Sequence, residues 1–204
     1  MDTRSDYIAI KPSLDESARR LEDFLRSYMP DGIMIDRITA RSKSVERFLG
    51  KAQKMEEGRP KYPNPILDVQ DIIGARIVVL YLHEVEQLKR FIPTLLTLIE
   101  HKGLEPEGFS EFGYFGWHAI AHLPEEVRGT TADGIFPRFF EIQVKTVFQH
   151  AWAEAEHDLA YKEFRGPLTR EDKRLIAFAA AQAWGADNSF EAVLRALKDR
   201  KAES

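Results

Sequence analysis

A mixed β-sheet flanked by helices, in an α+β layered domain, is the fold class that three features of this sequence predict. Ile77-Val-Val-Leu-Tyr81 is apolar at successive positions, as a strand covered on both faces requires. Leu14, Ala18, Leu21 and Leu25 recur at the three- and four-residue spacing of an amphipathic helix. From Val147 onward the chain reads as helix, which confines the strands to its middle. Helices laid on a central sheet bury both patterns at once.

The elements follow in order. Ser13-Leu-Asp-Glu16 has the form of a capping box, and Met29-Pro-Asp-Gly32 is a stop, so a helix is expected over about 13–29. Ile33 to Ala40 carries enough branched residues for a strand. Ser42 or Ser44 then opens a second helix reaching Glu57, because a serine oxygen can accept from a free N–H of the first turn. Gly58-Arg-Pro-Lys-Tyr-Pro-Asn-Pro65 is rich in breakers and predicts an exposed loop over the site. Ile72 to Leu82 is the central strand. A helix over about His83 to His101 follows, with Val85, Leu88, Ile92, Leu95, Leu96 and Ile99 as its buried stripe and Pro93 as a kink. Strands are expected near 117–123 and 138–145. Helices then run over about 147–162, 169–184 and 189–201, the last two started by Thr169-Arg-Glu-Asp172 and Asp187-Asn-Ser189.

The 204 residues suit one well-buried domain over 1–204, with an N-terminal helix at about 13–29, a core at about 33–165 and C-terminal helices at about 168–201. A net charge of −4 argues against non-specific DNA binding, which needs a dominant basic surface. With no cysteine there is no thiol catalysis, disulfide or cysteine-bound zinc, which suits the cytoplasm. No apolar run reaches the roughly 20 residues of a membrane span, so no membrane partner is expected. His118 and His122 are separated along a strand and make a poor chelating pair.

Five motifs fall in order along the chain: Arg41-Ser-Lys43 with Lys51, Asp71-Ile-Ile-Gly-Ala-Arg76, Gly113-Tyr-Phe-Gly-Trp-His118, Glu141-Ile-Gln-Val-Lys-Thr146, and Trp152-Ala-Glu-Ala-Glu-His157 ending at Tyr161-Lys162. Carboxylates suit a hard cation, and clustered cations near a helix start suit phosphate. Glu141, Gln143 and Lys145 alternate with Ile142 and Val144, so the polar three share one strand face.

The same order of motifs resembles the synthetase domain of the RelA/SpoT family, over about residues 35–165. The resemblance implies a nucleotidyltransferase-like synthetase that moves pyrophosphate from ATP to a nucleotide 3′-hydroxyl. It implies Mg²⁺ on Asp71 and Glu141, with Glu141 also placed to take the hydroxyl proton. Arg41 and Arg76 would sandwich adenine while Lys43 and Lys51 hold the donor phosphates. His118 and Gln143 would stand beside the reacting groups, and Tyr114, His150 and Lys145 would meet the acceptor. Trp152, Glu156, His157, Tyr161 and Lys162 are read as structural supports.

Three features depart from the family pattern: Arg47 stands where a Ser is frequent, Gly116 replaces the usual Ser, and Glu105, Glu107 and Glu111 make the approach to Tyr114 acidic. An acidic approach repels a 5′-polyphosphate. That departure favours an acceptor other than GDP or GTP, while the resemblance as a whole makes synthesis of alarmones from a guanosine nucleotide (GDP or GTP) the first reading. The rivals are an adenine-nucleotide or tRNA 3′-end acceptor, as in toxin-like members, and a catalytically silent nucleotide-binding module. Small members of this family assemble, so a homo-oligomer is also expected.

Overall fold

The computed structural model describes residues 2–103, 113–114, 116–131, 134–161 and 166–202. Helix α1 spans Thr3–Tyr28, followed by strand β1 at Ile35–Ser42, helix α2 at Val45–Ala52, a small hairpin of β2 (Met55–Glu56) and β3 (Arg59–Pro60), and a short helix α3 at Pro65–Asp68. Strand β4 (Ile73–Val79) leads into α4 (Leu82–Leu95), β5 (Leu98–Gly103), β6 (Trp117–His122) and β7 (Phe139–Thr146). Helices α5 (Val147–Tyr161) and α6 (Arg170–Ala202) complete the chain. The five-stranded sheet has the order β1-β4-β7-β6-β5, with β4 and β7 parallel and every other neighbouring pair antiparallel. It is the mixed sheet with flanking helices that the sequence predicts.

Ile73, Ala75, Ile77 and Val79 of β4 and Ile142 and Val144 of β7 point to one face, where Leu14, Leu21 and Leu25 of α1 and Leu88 and Ile92 of α4 join them in a single apolar core. Each fully buried leucine or isoleucine there contributes about 1.5–3 kcal/mol relative to exposure. The opposite face carries polar side chains and is partly covered by α5. No helix among the described residues is long and apolar enough to cross a membrane.

Five expectations need correction. Helix α1 begins ten residues before Ser13, capped by Asp2, whose carboxylate accepts from Arg4 N at 3.2 Å. Burial of Tyr7, which stacks on Phe48 at 3.8 Å and donates to Lys43 O at 2.8 Å, holds the extra turns across Pro12. Helix α2 stops at Ala52 because the chain turns back as the β2–β3 hairpin, with Glu57 and Gly58 both at positive φ. The breaker-rich segment is mostly exposed, as expected, giving Arg59–Pro60 to that hairpin and Pro65 to α3 with residues 61–64 in neither, but none of it lines the cleft below. Helix α4 ends at Leu95, and Ile99, expected on its buried stripe, is an exposed residue of β5. The last two expected helices are one, α6, running unbroken through Gly185 to Ser189. There Asn188 and Ser189 donate to the carbonyls of Trp184 and Gly185, four residues back, instead of opening a new helix.

Candidate active site

Strand pairing brings the distant motifs to one place. Arg41, Gly74 and Glu141 lie side by side on β1, β4 and β7; Thr39, Arg76, Gln143 and His118 form the next rung, with β6 supplying the histidine. A Cβ at Gly74 would meet nothing within 4 Å, so the missing side chain leaves an open floor between Arg41 and Glu141. Above that floor is a cleft of about 780 Å³, walled by the start of α2, by Asp71, Arg76 and Gln143, by Lys11 of α1 and by Glu154 of α5.

Asp71 sits just before β4. Its Oδ2 receives Lys51 Nζ at 2.7 Å and Lys43 Nζ at 3.0 Å, while its Oδ1 is buried with no hydrogen-bond partner. Burial raises its pKa, but the two lysines outweigh burial and hold the carboxyl below its ordinary range. Glu141 is balanced likewise: burial raises it, and His118 and Gln143 bring it below the ordinary value. Gln143 Nε2 donates to Glu141 Oε2 at 2.8 Å, and His118 Nδ1 lies 3.5 Å from Oε1. His118 Nε2 is likewise buried with no hydrogen-bond partner. Two ionised carboxylates, one with an orphaned oxygen, suit a hard cation such as Mg²⁺. Among the described residues no group of three or more His, Cys, Asp or Glu could hold a metal, so the remaining ligands would come from substrate phosphates and water.

Of the other expected site residues, Arg41, Lys43, Arg76 and Gln143 line the cleft, and Lys51 reaches it through Asp71. Arg76 Nε donates to Gln143 Oε1 at 3.2 Å, and its Nη1 meets His150 Nδ1 at 3.1 Å. Lys145 follows on the same face of β7, is 4% exposed, and has its pKa lowered to about 8 by burial and then by the nearby Arg76 charge. Tyr114 is placed differently from an open stacking ring. It is 6% exposed, packs with Trp152 and Ala180, and donates to Asp187 Oδ2 at 2.6 Å. Thr146 Oγ1 donates to the same oxygen at 2.6 Å, so α6 is tied to the end of β7 through Asp187, whose own pKa is raised by burial. Trp152 Nε1 donates to Ile176 O at 3.1 Å, a supporting contact between α5 and α6. Glu105, Glu107, Glu111 and Lys162 lie outside the described residues.

Among the residues of the wall that sequence reading missed are Lys11 and Glu154. Lys11 was hidden by placing the start of α1 at Ser13. Glu154 stands four residues after His150, so helical spacing was the signal that both share one face of α5. Gly116 also has a reason. A Cβ there would sit 2.5 Å from Lys145 Cγ and closer still to Val144 O, so no side chain fits, the usual Ser included.

A sequence profile of the region found in RelA and SpoT proteins matches residues 40–165. The GTP pyrophosphokinase YjbM of Bacillus subtilis (strain 168) is 26% identical over 181 residues, covering 87% of this chain and 81% of that protein. The crystal structure of the small alarmone synthetase 1 from Bacillus subtilis superposes with a TM-score of 0.71 at 22% identity, over 96% of this chain and 97% of that one. The structure of smu.1046c from Streptococcus mutans UA159 does so with a TM-score of 0.71 at 21% identity, over 98% of each chain. The profile match spans more than half of the sequence and takes in all five motifs, from Arg41 to Lys162: this chain belongs to the RelA/SpoT family.

Proposed function

We propose that the cleft binds ATP with Mg²⁺ and transfers its β,γ-pyrophosphate to the 3′-hydroxyl of a guanosine nucleotide, GDP or GTP, yielding a (p)ppGpp-type alarmone and AMP. The observation that carries this reading is the pairing of Asp71 and Glu141, two depressed carboxyls at one cleft, beside Lys43 and Lys51. YjbM is a GTP pyrophosphokinase, and the small alarmone synthetase 1 has been seen bound to its product pppGpp and to AMPCPP.

The 3′-oxygen forms a bond to the β-phosphorus, the bond from that phosphorus to the oxygen bridging it to the α-phosphate breaks, and AMP leaves with the bridging oxygen. The 3′-hydroxyl proton goes to Glu141, which is ionised and oriented by Gln143. Mg²⁺, when held by Asp71 and Glu141, supplies charge neutralisation and polarises the phosphoryl oxygens. Lys43 and Lys51 leave Asp71 to meet the donor phosphates, and Arg41 and Arg76 flank the base. Lys145 supplies a cation on the acceptor side. Stacking of an acceptor base on Tyr114 requires that ring to leave the cover of α6.

Incubating the protein with Mg²⁺, ATP labelled in its β- and γ-phosphates and one acceptor at a time tests the reading. Label on GDP or GTP with matching AMP release is the expected result. Label on a tRNA 3′-end or an adenine nucleotide alone would move the assignment to those acceptors, and ATP binding without AMP release under any condition would make this a silent module.

Lys145 gives a pH signature. Because its folded pKa is near 8, its charge is present below that pH and is lost as pH rises through it. The KM for the guanosine acceptor is expected to climb above pH 8 in the wild type. In Lys145→Arg, whose guanidinium stays charged, the climb should vanish.

A further inference from the structure

We infer that Glu154 is a positioning residue of the donor site, holding the Arg76 guanidinium as a fixed plane on which the donor base stacks; this rests on the donor reading above. Three acceptors surround that guanidinium. Gln143 Oε1 of β7 receives Nε at 3.2 Å, Glu154 Oε1 of α5 receives Nη1 at 2.6 Å, and His150 Nδ1, one turn before Glu154, lies 3.1 Å from the same nitrogen. An arginine has only donors, so His150 must accept, which requires the neutral ring protonated at Nε2. Burial and then the Arg76 charge lower the His150 pKa, in keeping with that form.

With its edge held from a strand on one side and a helix on the other, the guanidinium has its flat faces left for a ligand. A planar, delocalised cation is suited to stack on an aromatic ring, and fixing it beforehand reduces the ordering that binding must supply. Stability does not account for Glu154. Its side chain is 57% exposed, and an ion pair so exposed adds little to the fold. A carboxylate at the rim of a site for a polyanion also needs a reason to be there. The phosphates are assigned to Lys43 and Lys51, whereas Glu154 enters from α5, so its repulsion acts through screening solvent while its contact with Arg76 is direct.

Calorimetric titration of the full chain with a non-hydrolysable ATP analogue and Mg²⁺ tests this without relying on turnover. Glu154→Ala is expected to weaken binding about tenfold with an unchanged melting temperature. Glu154→Gln should recover most of the loss, because its amide oxygen accepts the same bond. In an Arg76→Ala background, Glu154→Ala should cost nothing further. In turnover, KM for ATP should rise by a similar factor in Glu154→Ala while kcat changes less. Wild-type affinity in Glu154→Ala, no recovery in Glu154→Gln, or a full additional loss in the Arg76→Ala background would each overturn the inference. Absence of analogue binding by the wild type would instead overturn the donor reading beneath it.

Discussion

Asp71→Asn and Glu141→Gln will each slow pyrophosphate transfer on the order of a thousandfold, with the fold retained. Both amides keep the size of the acid and can still accept a hydrogen bond, so Gln143 keeps an oxygen to donate to in Glu141→Gln. What they lose is charge. In Glu141→Gln no anion remains to take the 3′-hydroxyl proton, and in Asp71→Asn the ammonium groups of Lys43 and Lys51 face each other without the anion that both now contact. A rate loss of three decades corresponds to about 4 kcal/mol of transition-state stabilisation. Initial rates of AMP release, read beside the circular dichroism spectrum, check the result; near-wild-type turnover in either variant would remove the carboxylate pair from the mechanism. The depressed pKa values add a second reading. Both acids stay ionised below the ordinary carboxylate range, so the acid limb of the rate profile attributable to them should lie below that range rather than near neutrality.

Restoring the residue usual in the family, Gly116→Ser, should damage this protein. The added Cβ would meet the backbone oxygen of Val144 and the stem of Lys145 well inside contact distance, and the oxygen belongs to the β7 backbone beside Gln143, where it cannot yield as a flexible side-chain end would. Forcing volume into such a spot costs about 1–3 kcal/mol, which is roughly 2–12 °C in melting temperature for a domain of this size. Because Lys145 must shift, the pH dependence of acceptor KM should change as well. Unaltered melting and an unaltered profile in Gly116→Ser would show that the close packing relaxes without consequence.

Much of this architecture was legible where one residue type has one physical reading. The run from Ile77 to Tyr81 is apolar at successive positions, and β4 indeed lies inside the sheet between β1 and β7, with Ile77, Val78 and Val79 all fully buried although their side chains alternate between the two faces. Alternation at Glu141, Gln143 and Lys145 likewise placed three polar groups on one face, and strand pairing then brought Arg41 and Arg76 beside them. Legibility failed where local pattern and tertiary contact compete. Ser13 has the chemistry of a cap, yet its hydroxyl donates to Thr130 O while burial of Tyr7 carries the helix past it. Leu95, Leu96 and Ile99 satisfy a helical stripe, but a run that short reads equally as the entry to a strand. Asp187 resembles a helix start and is instead a buried acceptor for two hydroxyls contributed by residues far earlier in the chain. No single-sequence signal reports such partners.

The parallel pairing of β4 with β7 sets a time order on the appearance of the site. Strands β5 and β6 meet across a short excursion, from Lys102 to His118, and can zip early; the rung joining Gly74 to Glu141 closes only after the whole intervening segment has been made and folded back. A ribosome releasing this chain from its N-terminus therefore exposes Arg41, Lys43, Lys51, Asp71 and Arg76 well before Glu141 has been synthesised. On the mechanism proposed above, the unfinished polypeptide carries donor-site cations with no acceptor of the hydroxyl proton. Turnover then begins as an all-or-none event when β7 docks, and a nascent chain halted before Phe139 should hydrolyse or transfer nothing.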